Sequence, residues 1–132
     1  MKYRIDINAA DLKVLRRKVR DLRAIDEKGL SGALKSAAAF ASNEAKRNTR
    51  QITGHYRNGK FIPSTGNMRS EIGFERSPDG KSVEVFANAP YSGYVEFGTR
   101  YQRAQPYFRP AIIKALAKLN ADLTRLINKA IR

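Results

Sequence analysis

Two alternating segments on either side of Pro78-Asp79-Gly80 constrain this chain more than any other feature. Across residues 82–88, Val83, Val85 and Ala87 fall on one side and Ser82, Glu84 and Phe86 on the other. Across residues 68–75, Met68, Ile72 and Phe74 oppose Arg69, Glu71 and Glu75 less regularly. Alternation is the mark of a strand with one buried face. A Pro-Asp-Gly turn between two such runs sends the chain back on itself. The segments predict an antiparallel hairpin.

Around that hairpin the periodicity changes from two to between three and four. Residues 9–23 carry Leu12, Leu15, Val19 and Leu22 as one apolar stripe, which predicts a helix with Asn8 as N-cap. Asp26 to Ser31 reads as a connection. Residues 31–48 predict a second helix, whose Leu34, Ala37, Ala38, Ala41 and Ala45 form a narrow face of small side chains. Small side chains let another element come close, either a sheet or helix of the same subunit or a neighbouring subunit. A last helix runs from about Pro110 to Ala130, with Ile112, Leu116, Leu119, Leu123 and Leu126 in its stripe and Ile113 and Ile127 widening it. Proline suits its first turn, where the missing amide costs nothing. Residues 2–8 and Tyr94 to Phe97 add two short strand candidates. The fold class is therefore α+β: a small antiparallel sheet of three or four strands flanked by two N-terminal helices and one long C-terminal helix. With 132 residues the chain fits one domain, residues 1–132.

Residues 49–67 interrupt these patterns with three glycines and a proline. They read as a flexible basic loop, at about 50–66, in which Arg50, Arg57 and Lys60 alternate with His55, Tyr56 and Phe61. Cations among aromatics can grip a nucleic-acid backbone. The same composition suits a loop that orders against a neighbouring subunit.

Charge raises the same alternatives for the whole chain. There are 26 Lys and Arg against 12 Asp and Glu, a net charge of +14. Such a field attracts polyanions, but it also describes a solvated surface or one matched to an acidic partner. A small basic nucleic-acid-binding protein is one reading. Absence of cysteine excludes disulfides and thiolate metal sites, and the single His55 excludes multi-histidine sites. No stretch approaches the roughly 20 apolar residues that span a bilayer, and the N-terminus lacks the apolar run of a signal peptide. A soluble intracellular protein with no membrane partner is the expectation.

Chemistry finds few footholds. No phosphate-cradling GxxxxGK[ST] loop is present. Glu71, Glu75 and Glu84 share the hairpin but lack metal-ligand spacing. Glu96, among Tyr94, Val95 and Phe97, is the odd acid. In an aromatic pocket it would be a catalytic carboxylate of raised pKa. As a structural group it would accept backbone amides or pair with Arg100, Arg103 or Arg109. The structural reading is preferred because no second catalytic group accompanies it. No enzyme activity, cofactor or metal is expected.

Residues 88–112 read NAPYSGYVEFGTRYQRAQPYFRPAI. This segment resembles the gene-product-ten family of lambdoid long-tailed phages and their prophages. Tyr91, Val95, Glu96, Phe97, Gly98 and Thr99 match its first half. Gln105, Pro106, Pro110 and Ala111 match its second, with Tyr107 replacing the usual phenylalanine. Thr65, Gly66, Met68, Ser70 and Ile72 loosely fit its upstream Thr-Gly element, whose approach is longer and more basic here. The resemblance implies a non-enzymatic neck or tail-completion subunit of the virion, made in the host cytoplasm. It implies a ring of identical copies, six-fold or a multiple, joined to head–tail connector and tail proteins. A ring around the DNA channel can carry a basic lumen that contacts DNA without reading sequence.

Overall fold

A computed structural model of the chain describes residues 1–6, 10, 13, 27–52, 54–63 and 66–131. The helix expected over 9–23 lies almost wholly outside them, as do Ile7 and Thr65.

The predicted hairpin forms from β4 (Ile72–Arg76) and β5 (Ser82–Ala87), with Phe74 opposite Val85 and Glu75 opposite Glu84. Its turn closes as Pro78-Asp79-Gly80 requires: the Gly80 amide donates to the Ser77 carbonyl, and Asp79 accepts the Lys81 amide. Gly80 takes a φ of 71°, a left-handed conformation that glycine adopts without steric cost. β4 begins later than the alternation predicts, because Asn67–Ser70 forms a helical turn that points Met68 into the core. The other edge of β5 pairs antiparallel with β1 (Lys2–Asp6), placing Ile5 opposite Val83. The sheet order is therefore β1-β5-β4. The strand expected at Tyr94–Phe97 is not part of it.

The long helices are α1 (Glu27–Asn48) and a C-terminal one, Arg109–Ile131. The connection expected over 26–31 is helical from Glu27 onward. Ala37, Ala38, Ala41 and Ala45 are fully buried, and α1 packs on both the sheet and the C-terminal helix. The two helices run antiparallel: Lys114 reaches Glu44 at 2.9 Å, Lys118 reaches Ser36 at 3.0 Å, and Leu126 covers Gly29. Small side chains let α1 sit this close to its neighbours, and Ala38→Leu would overpack the core at a cost of about 1–3 kcal/mol. On the C-terminal helix Ala111, Ile112, Ala115 and Leu119 are buried, while Ile113, expected in the stripe, is exposed.

Residues 49–67 are not one loop. A 3-10 turn (Thr49–Gln51) is followed by β2 (Gly54–Arg57) and β3 (Lys60–Pro63), which pair antiparallel as a separate two-stranded sheet. Asn58 and Gly59 both have positive φ, 52° and 75°. That is the two-residue turn whose twist matches paired strands and which Asn-Gly favours. In a glycine-rich run the Asn58-Gly59 dipeptide resembles a breaker, but its two-residue spacing between paired strands makes it a hairpin turn.

Candidate assembly interface

In chain order, Asn67–Ser70 is α2, Ser92–Phe97 is α3 and Arg109–Ile131 is α4. The segment from Tyr91 to Ala111 joins α3 to α4. Glu96 sits in α3 with only 2% of its surface exposed. Its carboxylate accepts three backbone amides: Tyr107 at 2.8 Å and Phe108 at 3.0 Å on Oε2, and Arg109 at 2.8 Å on Oε1. These are amides that the start of α4 cannot bond within its own helix, and the positive end of the helix dipole favours a carboxylate there. Pro110 has no amide to leave unpaired. Glu96 is thus a cap supplied from another helix. Of its two structural alternatives, amide bonding is the one formed; no arginine ion pair accompanies it among the described residues.

Its neighbours hold the same turn. Gly98 ends α3 at φ 77° and ψ 174°, a region almost confined to glycine. A Cβ there would stand 2.7 Å from the Ala104 nitrogen. The Gly98 amide donates to Tyr94, the Thr99 amide to Gln102, the Tyr101 amide to the Thr99 hydroxyl, and the Gln105 amide to Val95 at 2.8 Å. Val95 and Ala111 are buried, Tyr91 packs against the core, and Pro106 is exposed at the approach to α4. Gly66 adopts φ 83° at the start of α2.

Tyr107 is fully buried, and burial pushes its phenol pKa up. The Ser92 hydroxyl nearby opposes that shift, but neither group reaches good hydrogen-bond geometry. At the far side of α4, the Lys114 ammonium hydrogen-bonds Glu44 and holds its carboxyl below the usual range, with burial opposing and Arg47 at 3.5 Å helping.

One motif residue has no internal role. Phe97 is 66% exposed, beside Glu96, and Tyr94, one turn earlier on the same face of α3, is 64% exposed. Phe97 lines a groove of about 490 Å³ with Met1, Tyr3, Phe108, Ile113 and Leu116. Tyr3 is 38% and Ile113 60% exposed. The alternation of residues 2–8 and the stripe of the last helix predict buried positions for Tyr3 and Ile113, so neither is marked by sequence as a surface residue. Arg50 and Lys60 do not line this groove; they lie at the base and tip of the β2–β3 hairpin, with Arg57 at its tip. Among the described residues no group of His, Cys, Asp or Glu is arranged to hold a metal, and no helix is long and apolar enough to cross a membrane.

Residues 13–98 match the family of the bacteriophage HK97-gp10 tail component. The chain belongs to this HK97-gp10-like family. It is therefore a phage tail-related protein, as its Glu96–Thr99 motif led us to expect. The family match ends at Gly98, so it includes the capping Glu96 and the exposed Phe97 but not α4. No curated protein and no solved structure matches the chain significantly.

Proposed function

We propose that this HK97-gp10-like chain is a neck or tail-completion subunit that joins head to tail as a ring of identical copies. The observation that carries the reading is Phe97. Every other described residue of the Tyr91–Ala111 motif segment singled out above for the family resemblance has a fold reason or stands at a chain turn, whereas Phe97 presents its ring to solvent. Tyr3, Tyr94, Phe97 and Ile113 together expose on the order of 400 Å², within the range of the largest patches on monomers, which are often functional. A standard interface buries roughly 800 Å² per partner, so this patch supplies about half of one side. A head-to-tail contact that closes by rotation gives a ring, and the subunit remains a structural, non-enzymatic part of the virion.

Phe97→Asp tests this in a phage carrying the altered gene. The expected result under the electron microscope is filled heads and separate tails, with the purified variant folded and melting as wild type does. Joined, infectious particles at wild-type titre would overturn the reading.

A further inference from the structure

The β2–β3 hairpin is chemically unlike the rest of the chain. From Ala45 to Ser70 the sequence has no Asp or Glu and six cations: Lys46, Arg47, Arg50, Arg57, Lys60 and Arg69. Lys46 and Arg47 have an internal reason, because they end α1, where the helix dipole favours positive charge. Arg57 and Lys60 flank the hairpin turn. They stand directly opposite each other in the hairpin register, and like charges so placed destabilise a hairpin. Arg50 and Lys60 are exposed, and neither joins an ion pair among the described residues.

The hairpin forms a sheet of its own. Ile52 before it and Met68 after it are buried, which anchors its base. Gly54 lacks a side chain where the Phe61 ring and the Ile62 carbonyl crowd its Cα, so that ring lies across the paired strands. The strands pair with each other and with no strand of the main sheet. The tip, Arg57-Asn58-Gly59-Lys60, offers no apolar side chain to bury, whereas the core of a protein interface is poor in charge and in lysine. Duplex DNA supplies what the tip lacks: a dense row of phosphates, and a major groove about 12 Å wide that admits a two-stranded ribbon.

We propose that the β2–β3 hairpin is a DNA-contacting arm, in which Arg57 and Lys60 at the tip and Arg50 at the base hold the phosphate backbone of duplex DNA without reading its sequence. The inference stands apart from ring formation, since it concerns a different surface. Fluorescence anisotropy with two duplexes of unrelated sequence, titrated between 50 and 200 mM salt, tests it. Wild type should bind both duplexes equally. Each phosphate contact contributes about 0.9 to the slope of log affinity against log salt, so Arg57→Gln with Lys60→Gln should flatten it by about 1.8. The salt-induced loss of affinity over that range then shrinks about twelvefold. A control that neutralises exposed Lys35 and Lys129, on α1 and α4, should leave the slope nearly unchanged, and circular dichroism checks that all variants fold. Equal flattening by the control, a preference between the duplexes, or no binding at 50 mM salt would each overturn the proposal; the last outcome would point to an acidic protein as the arm's partner.

Discussion

Replacing Glu96 by glutamine keeps the shape of the side chain and removes its charge. Glutamine has one oxygen where three amides converge. The less costly orientation keeps that oxygen on Tyr107 and Phe108 and turns the NH₂ toward the Arg109 amide, setting donor against donor. One charge-assisted hydrogen bond, worth about 1.5–3 kcal/mol, is lost and the other two weaken to neutral ones. The favourable interaction with the α4 dipole, about 0.3–1 kcal/mol, goes as well. A total of about 3 kcal/mol is expected, a large part of the roughly 5–15 kcal/mol that holds a domain together. With an unfolding entropy of about 2.1 cal/mol/K per residue over this chain, that lowers Tm by about 11 °C. Circular dichroism at 222 nm measures it, in a Phe97→Asp background so that lost assembly is not mistaken for lost stability. A fall below about 2 °C would refute the reasoning, because it would mean that solvent satisfies the α4 amides as well as the carboxylate does.

Three further perturbations test the same segment and the helix pair. Gly98→Ala puts a Cβ into a glycine-only conformation and against the Ala104 backbone, so a loss of about 2–3 kcal/mol is expected in the same melts. Tyr107→Phe combined with Ser92→Ala removes two buried hydroxyls without good hydrogen bonds, and Tm should stay level or rise; a fall of more than about 3 °C would count against their being unsatisfied. Glu44 has its folded pKa depressed below the ordinary 4.5, mainly by the Lys114 hydrogen bond. Its stabilisation is thus fully present above that ordinary value and is lost as pH falls through the lower folded one. Lys114→Met should return the Glu44 titration, followed by NMR, toward 4.5, and an unmoved titration would remove Lys114 as the cause.

Local signals carried the β4–β5 hairpin and the buried alanine face. Pro78-Asp79-Gly80 turns the chain whatever surrounds it, and the spacing of Leu34, Ala37, Ala38, Ala41 and Ala45 has no strand counterpart. Tyr94–Phe97 went the other way. Four residues of mixed polarity fit a strand or a helix, and the choice is settled by partners elsewhere in the chain: Glu96 must reach amides 11 to 13 positions later, and Gly98 must end the helix. Ile113 belongs by periodicity to the margin of the α4 stripe, and whether a margin is covered depends on what the fold sets beside it. Glu96 was legible as a structural carboxylate, but its amide partners were not, because they became neighbours only on folding.

Glu96 is buried and the adjacent Phe97 is exposed, and this couples the fold to the proposed interface. The carboxylate fixes the first turn of α4. That turn presents Phe108, Ile112 and Ile113 to the groove that Phe97 shares. The groove therefore takes its shape from the buried cap. A change at Phe97 alters the surface and leaves the cap intact, so the subunit should fold and fail to join. A change at Glu96 loosens the α4 turn, so stability and joining should fall together. Two neighbouring residues in a six-residue helix thus separate the two demands on this segment. The side chain at 97, exposed beside that buried cap, is therefore the position where the proposed assembly role can be tested with the least disturbance to the fold.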